Sequence, residues 1–222
     1  MAVVGIVLAV GLLIALAAWL AAKRRKELEI WAASHHLSFQ PGRDRGFDER
    51  YRAFRCLRRG HSRAAFHVVE GTWSGRRLTA FDYRYVTGSG KNRPTHRFSA
   101  VILRSRVALK PLHIRPENVF DRVTEFFGLD DIDFESAEFS RAFHVKAADK
   151  RWAYDVLHQR IMERLLGMPR FSIEFDDRDV IVWRNRTFST EMFETAIGVA
   201  ETILDGLPGY LVRQQGGREE PT

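Results

Sequence analysis

An α+β domain behind an N-terminal transmembrane helix is the fold that the sequence predicts, and three observations predict it. Residues 2–22 carry no charged side chain. Between residues 64 and 103, aromatic and β-branched runs are separated only by turn residues. Further along, apolar residues recur three and four apart, the spacing of an amphipathic helix.

Composition bounds the rest. With 222 residues, 45% hydrophobic and 28% charged, the chain has the balance of a globular protein and excludes wholesale disorder. Sixteen Phe and five Trp supply a core that needs no staples. The single cysteine, Cys56, excludes an intrachain disulfide and fits a reducing compartment. Neighbouring Arg55, Arg58 and Arg59 would favour a thiolate there. No partner base is evident, so Cys56 is read as structural. A net charge of +7 predicts attraction to anionic surfaces: acidic lipid, nucleic acid or an acidic protein.

The first element is the anchor, residues 1–22. Its 21 uncharged residues from Ala2 to Ala22 reach roughly 31 Å as a helix, the thickness of a hydrocarbon core. Trp19 belongs near the headgroups. Lys23, Arg24, Arg25 and Lys26 form the cationic membrane flank, which places the following domain on the cytoplasmic side of the cell membrane. A cleaved signal peptide is the rival reading, with Ala15-Leu16-Ala17 as a small-residue site, but no basic region precedes the apolar run.

Residues 23–63 read as a basic juxtamembrane segment. Leu28, Trp31 and Ala32 continue the helix to about Ala33, and Leu37-Ser38-Phe39 starts an extended piece. Residues 41–63 then hold eight arginines against Asp44, Asp48 and Glu49. Tyr51, Phe54 and Leu57 stand three apart, predicting a short amphipathic helix with a basic outer face. Arg52, Arg55, Arg58 and Arg59 are the candidate anionic-surface residues, since cations near an acidic leaflet each contribute about 1 kcal/mol. The plainer reading pairs these arginines with the domain's own acids, such as Asp130, Asp131 and Asp133.

Residues 64–213 form the α+β domain. Ala64–Gly71, Arg77–Val86 and His96–Leu103 read as an antiparallel meander. Trp73-Ser74-Gly75 is a tight turn, and residues 87–94 form a longer loop. A meander has no crossover helix, which argues against a parallel nucleotide-binding sheet. Leu109–Ile114 adds a strand. A helix starts at Pro116, with Val119, Phe120, Val123, Phe126 and Phe127 as its apolar stripe. After an acidic loop, Phe139–Val145 reads as a strand and Arg151–Leu166 as one helix. Phe171–Phe175 and Val180–Trp183 pair as a hairpin. A last helix, capped by Ser189 or Thr190, buries Phe193, Ala196, Ile197, Ala200, Ile203, Leu204 and Leu207. Residues 214–222 are polar and read as a disordered tail.

The stretch from Phe134 to Val145, followed by Asp149 to His158, resembles a family of uncharacterised bacterial membrane-anchored proteins that carry a domain of unknown function. The strand around Phe81-Asp82-Tyr83 and the segment Ile203 to Leu211 are similar to that family as well. The resemblance implies a membrane link and carries over no functional residue.

Little in the sequence points to chemistry. His35 and His36 are adjacent, and His61 and His67 lie among arginines that repel a cation. No HExxH, CxxC, GxSxG, Walker or dinucleotide pattern occurs. Gly88-Ser89-Gly90 is turn chemistry, and His158 has Asp155 as its candidate salt-bridge partner. Arginines interleaved with Tyr51, Phe54, Phe81, Tyr83 and Tyr85 would suit single-stranded nucleic acid, but no recognised module accompanies them. No catalytic residue, metal ligand or cofactor is expected. The expected partners are the lipid bilayer and acidic lipids or an acidic protein. The function read from this is a membrane-anchored binding or scaffolding domain; the alternative is a membrane-bound enzyme, for which converging polar groups such as His96, Asp82 or His144 would speak.

Overall fold

The computed structural model describes residues 2–117 and 129–216. Among these, nine strands form one antiparallel sheet in the order β1-β2-β3-β4-β9-β8-β5-β7-β6. The first four are β1 (Ser38–Gln40), β2 (His61–Trp73), β3 (Arg76–Val86) and β4 (Thr95–Arg104). They are the meander that the sequence predicts, with the extended piece after residue 37 added at its edge. The hairpin β8 (Ser172–Asp176) and β9 (Asp179–Arg184) joins β4 through β9. Beyond β8 lie β5 (Leu112–Pro116), β7 (Phe143–Ala147) and the two-residue β6 (Asp130–Asp131). Both edges are very short strands, which limits open pairing.

Both faces of the sheet are buried, and this shapes the sequence. Phe98 to Leu103 of β4 are buried without interruption, so the strand lacks the polar alternation of a half-exposed sheet. One face carries Leu78, Ala80, Val101, Leu103, Val180 and Val182. It packs under α1 (Ala2–Ser34) and α6 (Thr190–Asp205). The other carries Phe81, Tyr83, Phe98, Ala100, Ile102, Ile181 and Trp183, and is covered by residues 47–57.

That cover places residues 23–63 within the fold. Leu28, Trp31 and Ala32 are core residues, with Trp31 stacked on Phe193 at 5.5 Å between ring centres. Phe47, Phe54, Cys56 and Leu57 are buried against the second face. The amphipathic helix expected through Tyr51, Phe54 and Leu57 is instead two short pieces, α2 (Phe47–Arg50) and a 3₁₀ turn (Arg55–Arg58). The break lets Phe47 and Phe54 both reach the sheet. Tyr83 Oη fixes the turn by donating to the Leu57 carbonyl at 2.6 Å.

Helix α1 runs unbroken through the anchor boundary to Ser34. From Leu8 to Ala22 every residue is exposed, including Leu12, Ile14, Leu16 and Trp19. Among the described residues no helix is long and apolar enough to cross a membrane. The side chains described from Leu8 onward leave only fifteen uncharged positions before Lys23.

Three further expectations are corrected. The first half of the strand expected at Phe139–Val145 is helix α3 (Ala137–Ala142), capped by Ser136, whose Oγ accepts the Phe139 N–H. The helix expected over 151–166 is split into α4 (Lys150–Val156) and α5 (Gln159–Leu166). His158 marks the break with extended backbone, and its Nε2 lies 3.0 Å from the Gly206 carbonyl oxygen. That bond to the end of α6 stands where the sequence suggested a pair with Asp155. Gly206 permits the close packing, because a Cβ there would meet Ile161 Cδ1 at 2.2 Å. Ser189 is the cap of α6. A short helix α7 (Gly209–Gly216) follows, so part of the expected tail is helical. The stripe from Val119 to Phe127 and residues 217–222 lie outside the described residues.

Candidate functional site

The most concentrated polar arrangement sits where α1 meets the sheet. Four elements each contribute one side chain: Arg24 from α1, His67 from β2, Asp82 from β3 and Ser99 from β4. Asp82 accepts from Arg24 Nε at 3.2 Å and Nη2 at 2.9 Å, and from Ser99 Oγ at 2.5 Å. His67 Nδ1 lies 3.0 Å from the same carboxylate. Burial pushes the Asp82 carboxyl up, but the hydrogen bonds from His67, Arg24 and Ser99 outweigh it and hold the group below the ordinary carboxylate range.

A bulge builds this node. The β2–β3 register slips between Phe66 and Val69, and His67 takes a left-handed backbone with φ of 51°. Bulges re-aim side chains, and this one turns the imidazole onto Asp82. A positive φ at a non-glycine residue carries strain, which tertiary contacts must offset. Stacking of His67 on Phe39 is one such contact.

Asp, His and Ser here do not form a nucleophilic triad. Ser99 Oγ donates directly to Asp82 and accepts the Phe188 N–H at 3.0 Å. In a triad the serine meets the second imidazole nitrogen, and the carboxylate meets the first. The node is a lock between α1 and three strands.

Beside the lock opens a cavity of about 440 Å³, lined on one side by Ala17, Leu20, Ala21 and Arg24, one stripe of α1. The facing wall includes Phe66, Arg84 and Arg97. Arg84 and Arg97 are directly opposed across β3 and β4. Arg84 lies over the Phe66 ring at 5.7 Å and Arg43 over the same ring at 6.0 Å. Desolvation, then the charges of Arg45 and Arg84, hold the Arg43 guanidinium below its ordinary value.

The sequence-predicted site residues scatter. Arg52 and Arg58 are exposed. Arg55 and Arg59 are half-buried and serve the fold: the Arg55 N–H donates to Glu174 at 2.8 Å, and Arg59 lies 4.5 Å over the Trp183 ring. Burial pushes the Glu174 carboxyl up, against bonds from the Arg55 and Cys56 N–H groups. Of the expected acidic partners, Asp131 is engaged elsewhere, with His144 and Lys146. Arg50 pairs with Asp44 at 2.6 Å and Arg63 with Asp48 at 2.7 Å. Of the cationic flank, Lys23, Arg25 and Lys26 are exposed, whereas Arg24 turns inward to Asp82.

The histidine pairs diverge. His35 meets Glu194 at 3.3 Å, and His61 lies 3.1 Å from the Gly88 carbonyl oxygen. Of the three enzyme-indicating residues, Asp82 gathers partners from three elements, His144 meets Asp131, and His96 stacks on Tyr85 and meets Thr87. Nothing in the sequence pointed to Arg84 and Arg97, because their pairing is a matter of strand register.

No protein-family description matches this chain, and no curated protein matches it. The fold is similar to that of a solved structure, the crystal structure of the mycobacterial trehalose monomycolate transport factor A, TtfA. The TM-score is 0.63 at 12% identity, over 89% of this chain and 98% of that one, so the likeness is one of architecture.

Proposed function

We propose that this chain is a single-pass membrane protein whose α+β domain is a cytoplasmic binding or scaffolding module. One observation carries the reading: α1 is a continuous helix that is wholly exposed and apolar from Leu8 to Ala22, yet locked into the core from Arg24 onward. Exposed Leu12, Leu13, Ile14 and Leu16, on a stretch of helix with no covering element, are costly in water and favourable in lipid. The uncharged sequence continues back to Ala2, and exposed Lys23, Arg25 and Lys26 support a cytoplasmic domain. The family resemblance read from residues 134–158 points the same way, and the fold neighbour's name, a transport factor, supports binding over catalysis.

The test is extraction of the full chain from membranes with alkaline carbonate. Wild-type protein stays with the lipid, and L12R/L16R moves to the supernatant while remaining folded. Release of the wild type would overturn the reading.

A further inference from the structure

We infer that the cavity beside α1 holds an anionic phospholipid, with its phosphate between Arg84 and Arg97 and an acyl chain along Ala17, Leu20 and Ala21. The inference rests on the membrane reading above and names the ligand of that domain.

The charge arrangement asks for an anion. Arg84 and Arg97 face each other in register on one side of the sheet, an arrangement in which like charges repel. Arg84 Nε is shielded from solvent and has no hydrogen-bond partner among the described residues. Arg24, the other arginine lining the cavity, is already neutralised by Asp82. Among the described residues, no carboxylate lies within ion-pair distance of Arg43, Arg84 or Arg97, whereas Arg24, Arg50, Arg63, Arg76 and Arg104 each have one. Guanidinium groups present paired donors that fit phosphate oxygens.

The apolar wall asks for a lipid rather than a free ion. Ala17, Leu20 and Ala21 belong to the same uncharged helix that enters the bilayer, and Leu20 is 50% exposed although it lines the cavity. The cavity is therefore continuous with the lipid-facing side of α1. From Ala17 to Ala22 the helix rises roughly 8 Å, comparable with the headgroup layer on one side of a membrane. The exposed arginines of the basic segment, Arg52 and Arg58, flank the cover on the opposite sheet face, so they do not compete for this role.

Native mass spectrometry of the detergent-solubilised full chain tests this, with phosphatidylglycerol and phosphatidylcholine titrated separately. One phosphatidylglycerol is expected to be retained, about tenfold or more tighter than phosphatidylcholine. R84Q/R97Q loses that preference, with an unchanged or raised melting temperature because a repulsion is relieved. L20W, which fills the apolar wall, weakens phosphatidylglycerol and leaves binding of inorganic phosphate unchanged. R52Q/R58Q changes nothing. Equal retention of both lipids, or loss of phosphatidylglycerol in R52Q/R58Q instead, would refute the inference. So would full displacement by inorganic phosphate together with indifference to L20W, which would show an ion site only. Carbonate extraction separates the two failures: a chain that stays in the membrane but shows no lipid preference sinks this inference alone.

Discussion

An unfolded chain protonates its histidines below about pH 6.5, but His113 is buried on β5 and does not follow. Burial first, then the charges of Arg115, Arg59 and Arg55, lower its pKa to about 3. The neutral form is thus built into the fold. Stability from this residue is fully present above pH 6.5 and declines as the pH falls from there toward 3, where the folded form also takes the proton. The slope is at most roughly 1.4 kcal/mol per pH unit over that window. Glu174, which lies 3.9 Å away and is raised by burial, acts in the opposite sense, since its burial cost is relieved on acidification. Urea titrations between pH 7 and pH 4 are expected to show wild-type stability falling, and H113L should flatten the fall. An equally steep fall in H113L would assign the acid sensitivity elsewhere.

Between elements, the lock around Asp82 is what ties α1 to the sheet. D82N is expected to cost about 3 kcal/mol, because it leaves Arg24 half-buried without its counter-charge. R24M/D82L should recover much of that loss, which a double-mutant cycle in urea would measure. Parts of this arrangement were legible beforehand. The strands of the meander and the 171–183 hairpin announced themselves through aromatic and β-branched runs between turn residues, and α6 through its cap and apolar stripe. The split between α4 and α5 was not legible, because no proline or glycine marks it and the deciding contact, Gly206, lies 48 residues away. The sequence reads Phe139 as strand, although Ser136 three residues earlier is the signal of a helix start. The lock itself joins residues 58 apart, and its histidine depends on a bulge at a non-glycine position. Composition carries no trace of either. The basic segment misled for a physical reason: Arg50 and Arg59 pack over rings of the second core face, Phe47 and Trp183, where long apolar stems are as useful as charge.

Over the whole molecule, the fold joins a two-sided sheet to one long helix, and the membrane reading gives that shape a direction. It also predicts topology. Protease added to intact cells should leave the domain whole, and the same protease should digest it in inside-out vesicles. Cleavage from outside intact cells would reverse the assigned orientation and detach the cationic flank from its proposed role.

The absence of a joint along α1 has a mechanical result. A domain hung from a pliable tether sweeps a broad volume and offers any side to a visitor. Here the stem and the body are one stiff piece, clamped at Arg24 and again at Trp31. In a bilayer, any tilt of the stem would swing the body with it, like an oar blade turned by its shaft. The face that the body offers would then be set by the angle of the stem.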